Sequence, residues 1–89
     1  MRYMALKWFG EKPAKEEIYE HVKKVFGLVG FSRSNFRVMG EIIACDRKWV
    51  EKVRGALALK WQFKVIAISG TLKKLRNKLN TLKEPQSLP

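Results

Sequence analysis

The spacing of hydrophobic residues along the first 30 positions predicts a strand followed by a helix. Residues 2–9 alternate, with apolar side chains on both sides of the alternation, which is typical of a central strand whose second face is partly covered. Residues 10–12 form a turn, and Pro13 suits the first position of a helix. We expect this helix to end at Gly27 or Gly30. Its apolar stripe comprises Ile18, Val22, Val25, Phe26 and Val29.

The middle of the chain predicts a hairpin, a helix and a further strand. Two extended runs, 35–39 and 41–45, are separated by Gly40, which favours a tight hairpin. Asp46 is a suitable N-cap for a helix with apolar positions Val50, Val53, Ala56 and Leu57. The run at 61–68 is apolar to its end and predicts a strand. This order is that of an α+β, ferredoxin-like β-α-β-β-α-β sandwich: a four-stranded antiparallel sheet with two helices on one face.

A third helix is predicted after this unit. Ser69, Gly70 and Thr71 interrupt the last strand, and leucines then recur at helical spacing at positions 72, 75, 79 and 82. This leucine stripe must be buried on the open face of the sheet, on a partner, or on a second copy of the chain in a homodimer. We assign residues 1–83 to a single domain that includes this C-terminal helix, and residues 84–89 to a frayed tail.

Charge is distributed unevenly over the 89 residues. The net charge is +11: residues 1–46, with eight Lys/Arg and six Asp/Glu, hold +2, and residues 47–89, with eleven and two, hold +9. Such an excess favours a polyanionic partner, nucleic acid before an anionic membrane surface. Because no apolar run approaches the roughly 20 residues of a membrane span and no signal-peptide pattern is seen, we expect a cytoplasmic protein.

The chain is poor in the side chains that catalysis needs. Cys45 is its one cysteine and His21 its one histidine. They leave almost nothing from which to build a nucleophilic or metal-dependent active site. We therefore expect no intrinsic active site and no cofactor held by the protein itself.

The predicted third helix carries the strongest signal for a binding surface. Five basic residues lie off the leucine stripe, and no acidic residue occurs between Thr71 and Lys83: Lys73, Lys74, Arg76, Lys78 and Lys83. A solvated helix gains stability from opposite charges four residues apart, whereas this one repels itself unless an anion is near. We predict contacts with RNA phosphates. A plain lysine-rich surface helix is the alternative, and a membrane-bound amphipathic helix is disfavoured because the apolar face has no aromatic anchor.

Two neighbouring groups extend this predicted RNA contact. The second helix has four basic residues on its polar side, opposed only by Glu51: Arg47, Lys48, Lys52 and Arg54. Ser69, Gly70 and Thr71 offer backbone N–H groups and two hydroxyls to a phosphate, although helix capping is the commoner role of Ser and Thr. Base stacking of the RNA-recognition-motif kind is not indicated, because the run at 41–45 has no aromatic residue.

Three stretches resemble the archaeal ribonuclease P protein component 2 family. They are GEIIAC from Gly40, VRGALAL from Val53 and ISGTLKKLR from Ile68. The opening from Arg2 to Pro13 is similar to the start of that family, and the resemblance covers about residues 1–80. The chain departs from the family pattern in the link between the second and third strands, which is shortened to about one glycine, as in a trimmed member.

The resemblance implies a non-catalytic, RNA-binding subunit of ribonuclease P, the endoribonuclease whose RNA removes the 5′ leader of precursor tRNA. It places Mg²⁺ on the RNA. It also implies as partners the ribonuclease P RNA, protein component 3 and other subunits, with precursor tRNA met indirectly. Two other interpretations stay open from the residues: a general nucleic-acid-binding protein without a ribozyme partner, and a ferredoxin-like oligomerisation or ligand-sensing module.

Overall fold

The computed structural model describes residues 1–83, with side chains as far as residue 80. The strands are β1 (Arg2–Trp8), β2 (Arg37–Met39), β3 (Ile42–Cys45) and β4 (Phe63–Ser69). The helices are α1 (Lys15–Ser34), α2 (Val50–Ala58) and α3 (Leu72–Lys83), and a 3-10 turn (Arg47–Trp49) leads into α2. The predicted tail, 84–89, lies outside the described residues, as do the side chains of Leu82 and Lys83.

The four strands form one antiparallel sheet in the order β2-β3-β1-β4. This confirms the ferredoxin-like α+β prediction and the central place of β1, which pairs with β3 on one side and β4 on the other. The predicted hairpin is also confirmed: Met39 pairs with Ile42, and Gly40 between them has a φ of 61°. Such a left-handed conformation is one that glycine adopts without steric cost.

One face of the sheet packs on α1 and α2 to form the main core. Met4 and Leu6 are alternate residues of β1, and their side chains pack in one core with those of α1, α2 and the neighbouring strand β3. The buried residues that meet them are Ile18, Val22, Ile43, Val53 and Leu57. Trp8, Trp61 and Phe63 close the core at one end: the Trp8 ring lies 5.9 Å from that of Trp61 and 5.6 Å from that of Phe63.

The third helix covers part of the other face of the sheet. Tyr3 pairs with Ala44 and Ser69, so these residues share the face turned away from Met4 and Leu6. Ala44 and Ser69 are buried, and α3 contacts both β4 and β1. Leu75 is fully buried without belonging to the main core, and we infer that it covers these small residues. Of the three places predicted for the leucine stripe, the structure therefore uses the open sheet face.

The predicted end of α1 and part of its apolar stripe are wrong. Gly27 has φ 75° and ψ 171°, but the chain resumes its helical path and ends at Ser34. The kink turns the segment after Gly27, so Leu28 and Val29 are 81% and 67% exposed. Val25, which precedes the kink, is exposed as well. Gly30 lies within the helix, where a β-carbon would stand 3.4 Å from the Trp49 ring. It therefore permits close packing and does not end the helix.

Several other boundaries also differ from the predicted ones; α1, for example, begins at Lys15 and not at Pro13. Asp46 caps the 3-10 turn, and its Oδ1 accepts a hydrogen bond of 3.0 Å from the backbone N–H of Lys48, so α2 itself begins only at Val50. β4 begins at Phe63, because the N–H of Trp61 still bonds to the carbonyl of Leu57 at the end of α2 (3.0 Å).

Candidate nucleic-acid interface

Arginine and lysine side chains gather at one end of the sheet. β1 begins at this end, and β3 and β4 finish there, because Arg2 pairs with Cys45 and Tyr3 with Ser69. The segments that follow β3 and β4 therefore start side by side. The end of α1 is joined to them by a hydrogen bond of 2.7 Å from the N–H of Asp46 to the carbonyl of Ser34. We call this region the basic end; it comprises Arg2, Arg33, Arg37, Arg47, Lys48, Gly70 and Thr71.

The start of α3 forms the centre of the basic end. Thr71 caps the helix: its Oγ1 accepts a hydrogen bond of 3.2 Å from the backbone N–H of Lys74. A β-carbon on Gly70 would stand 2.9 Å from Nη1 of Arg2, so the Arg2 guanidinium lies directly against this glycine. A helix start, which carries a partial positive charge, and a guanidinium together suit a phosphate. Ser69 is 6% exposed within β4, which leaves it little surface for such a contact.

The predicted cations of α3 do not all have the same surroundings. Lys73, Lys74 and Arg76 are exposed, and among the side chains that the structure describes, residues 1–80, they have no hydrogen-bond or ion-pair partner. The Nζ of Lys78 donates a hydrogen bond of 2.9 Å to the carbonyl of Ile68, which ties α3 to β4. Lys78 therefore has a structural contact in addition to its charge, and the first three are the freest to meet phosphates.

The predicted cations of α2 divide in a similar way. Arg47 and Lys48 are exposed in the 3-10 turn at the basic end. Beyond this turn, in α2 itself, the Nζ of Lys52 lies 4.6 Å from the centre of the Trp49 ring. The guanidinium of Arg54 is 3.3 Å from the Glu51 carboxylate, an exposed ion pair that contributes little to stability. Lys52 and Arg54 thus have partners in the free protein.

The structure brings α2 and α3 together only at the basic end. Since the two helices pack on opposite faces of the sheet, the predicted residues do not form one flat surface but two arms that start at the same end, one at Arg47 and the other at Gly70 and Thr71. Sequence reasoning missed the arginines of β1, α1 and β2 that lie at the same end: Arg2, Arg33 and Arg37. A signal for the last two was present, because the sequence has no acidic residue between Glu20 and Glu41.

The basic end can neutralise phosphates, but the nucleophile and base candidates of the chain are held in other roles. Cys45 is fully buried, and burial together with the neighbouring Asp46 raises the pKa of its thiol to about 11. The Nε2 of His21 is 2.7 Å from the carbonyl of Ala56, and its ring packs on Trp61. Residues 1–83 contain no cluster of three His, Cys, Asp or Glu that could hold a metal ion. None of the helices within that range is long and apolar enough to cross a membrane.

Comparison with known proteins gives two curated archaeal relatives. Over 96 aligned positions, the chain is 32% identical to ribonuclease P protein component 2 of Thermococcus gammatolerans, with 86% of this chain and 80% of the relative covered. It is 31% identical, with the same coverage, to the protein of that name from Thermococcus kodakarensis. No protein-family model matches the chain.

Proposed function

The chain belongs to the ribonuclease P protein component 2 family, and on that premise we propose that it is an RNA-binding subunit without an active site of its own. Its similarity to the two archaeal components, over most of both chains, carries this proposal. As a subunit it would support the ribonuclease P RNA in removing the 5′ leader of precursor tRNA. Protein component 3 and other subunits are its proposed partners.

The basic end supports the proposal by supplying a physical means of binding RNA. Lysine and arginine side chains displace condensed counterions when they bind phosphates, so the binding affinity falls as the salt concentration rises. The logarithm of the affinity falls by about 0.7 to 0.9 per contact for each tenfold rise in salt. Such contacts position a protein on RNA without reading its bases. The excess of positive charge favours RNA over a ferredoxin-like oligomerisation or ligand-sensing module, and such a module should retain no RNA even at low salt.

The proposed effect on the RNA is electrostatic. Where RNA strands approach each other, their phosphates repel, and Mg²⁺ or protein cations must offset that repulsion. Arg2, Arg47 and α3 would provide fixed positive charge at such a place, so the folded RNA would need less Mg²⁺. In this proposal Mg²⁺ belongs to the RNA, and no described group of the protein is assigned to hold it.

Reconstituted cleavage of precursor tRNA tests the proposal. The RNA and the remaining subunits are combined with and without this chain, and the cleavage rate is measured as the Mg²⁺ concentration is lowered. We expect the chain to increase the rate most strongly at limiting Mg²⁺. Equal rates with and without the chain at every Mg²⁺ concentration would refute the proposed role.

RNA recovered with the protein separates this role from the alternative of general nucleic-acid binding. A subunit of ribonuclease P should carry one structured RNA from its own cells, whereas a general binder should carry RNA of many sizes. The charge of the basic end favours both equally, and the family membership favours the first.

A further inference from the structure

Two lysines face each other on the open face of the sheet, at the end opposite to the basic end. Lys7 of β1 is the direct cross-strand partner of Lys64 of β4. The side chains of the neighbouring pair, Trp8 and Phe63, contact each other on the helix side with ring centres 5.6 Å apart, so the two lysines point away from the helices. Both are exposed, so α3 leaves this part of the face uncovered.

This arrangement is unfavourable in the free protein. Directly opposed residues on antiparallel strands have β-carbons only about 4.5–5.5 Å apart, and like charges there are destabilising. Neither ammonium group is paired with a carboxylate within residues 1–83. An anion between the two ammonium groups would turn this repulsion into attraction.

The surface next to the two lysines carries a further positive charge and an exposed apolar side chain. Lys7 lines a cleft of about 340 Å³ together with Lys12 and Ile66, which is 41% exposed although it belongs to a strand. One carboxylate, that of Glu41, lines the same cleft and opposes the lysines. Within the cleft two lysines outnumber one glutamate, and Lys64 beside Lys7 adds a third positive charge.

We propose that Lys7 and Lys64 form a second RNA contact, in which the pair binds the phosphodiester backbone and Ile66 lies under the adjacent sugar. This inference rests on the proposed RNA-binding function and extends it to a surface that the helices do not supply. RNA bound here and at α3 follows the open sheet face from the basic end to its far end.

The test compares RNA affinity with the stability of the free protein. Lys7→Gln and Lys64→Gln, alone and together, remove the charge and keep an unbranched, polar side chain that is one atom shorter. Affinity for the ribonuclease P RNA is measured across a salt series, and stability by denaturant unfolding. Two lost phosphate contacts, at about 0.7 to 0.9 each, should lower the slope of log affinity against log salt by about 1.4 to 1.8 units in the double variant. If the contacts contribute nothing at 1 M salt, this amounts to a loss of roughly 25- to 60-fold in affinity at 0.1 M salt. Each single variant is expected to unfold at the same or a higher denaturant concentration than wild type.

Matched variants make the result specific. Lys15→Gln/Lys24→Gln removes the same charge from exposed positions of α1 and should leave affinity almost unchanged. Lys64→Arg should keep binding, and Glu41→Gln should strengthen it.

The outcomes separate this inference from the proposed function. If substitutions in α3 weaken binding and Lys7→Gln/Lys64→Gln does not, the second contact is overturned while the RNA-binding role stands. The second contact is also overturned if the α1 pair costs as much as the sheet pair. If wild type does not bind the RNA at all, the proposed function itself fails.

Discussion

Removal of the three partnerless cations of α3 tests the basic helix most directly. The variant Lys73→Ala/Lys74→Ala/Arg76→Ala leaves Lys78, whose Nζ bonds to the carbonyl of Ile68, and Leu75, which is buried, in place. Alanine is the best helix former, and the change relieves like-charge pairs such as Lys73 with Arg76, each unfavourable by about 0.2–0.5 kcal/mol. The variant should therefore be at least as stable as wild type.

The expected loss of RNA affinity follows from counting contacts. Each of the three side chains is exposed and without a partner among the described residues, so each can meet one phosphate. Three lost contacts should lower the slope of log affinity against log salt by about 2.1 to 2.7 units. If the contacts contribute nothing at 1 M salt, this slope amounts to a loss of roughly 100- to 500-fold at 0.1 M salt, or about 3–4 kcal/mol.

The assay is equilibrium binding of the ribonuclease P RNA over a series of salt concentrations, with thermal unfolding measured on the same samples. The matched control is Lys15→Ala/Lys23→Ala/Lys24→Ala, which removes three charges from α1, on the helix side of the sheet. An unchanged salt slope in a folded α3 variant, or an equal loss in the α1 control, would refute the assignment of α3 to RNA.

The other predictions concern stability and reactivity. Leu75→Ala should cost about 2–5 kcal/mol in urea unfolding, because Leu75 is fully buried between α3 and the sheet; a loss below about 1 kcal/mol would contradict that packing. In the same measurement, Gly27→Ala should destabilise by about 1–3 kcal/mol because φ is 75° and ψ 171°, whereas Gly55→Ala should stabilise by about 0.5–1 kcal/mol because its helical position has open space. Cys45 should resist alkylation at pH 8 until the protein unfolds, and rapid reaction of the native protein would count against its burial. Because its pKa rises from 9.0 to about 11 on folding, its contribution to stability is complete below pH 9 and should be lost as the pH rises from about 9 to about 11; Cys45→Ala should remove that part of the alkaline loss.

The order of elements could be predicted because the local patterns are strong. Residues 2–9 carry apolar side chains on both sides, and β1 is indeed covered by α1 and α2 on one face and partly by α3 on the other. The leucine stripe of α3 was equally informative, since a helix with four leucines at this spacing needs a surface to bury them. That surface includes two small residues, Ala44 and Ser69, which lie on either side of Tyr3 and are brought to one face only once the strands are paired.

The path of α1 could not be predicted from spacing alone. A glycine in a helical pattern can end the helix, kink it or allow close packing. In this chain Gly27 kinks the helix and Gly30 allows close packing. The choice depends on Trp49, whose ring packs 5.1 Å from that of Phe26 and close to Gly30. That contact joins residues far apart in sequence, so no local pattern contains it.

The α3 cations were predicted as a group, but the shape of the candidate site was not. Placing Arg2 against Gly70 requires knowledge that β1 and β4 are antiparallel neighbours and that Tyr3 pairs with Ser69. Likewise, α2 and α3 look like one basic region in a linear charge count, and the sheet between them divides it into two arms. Pairing order, which the sequence encodes only through the whole fold, decides which cations meet.

The central position of β1 also determines at what point of synthesis the sheet and the basic end can form. β1 is synthesised before both of its neighbours, β3 and β4. Its backbone groups can therefore form sheet hydrogen bonds only after residue 45, and then residue 69, have left the ribosome. Pairing between such distant segments is slow to nucleate. Arg2, Arg47 and Gly70 therefore come together only when nearly all of the described chain is available. A nascent or truncated chain would have much of the positive charge but not its arrangement, so in the proposed RNA-binding role only a chain that extends into α3 would present the whole basic end.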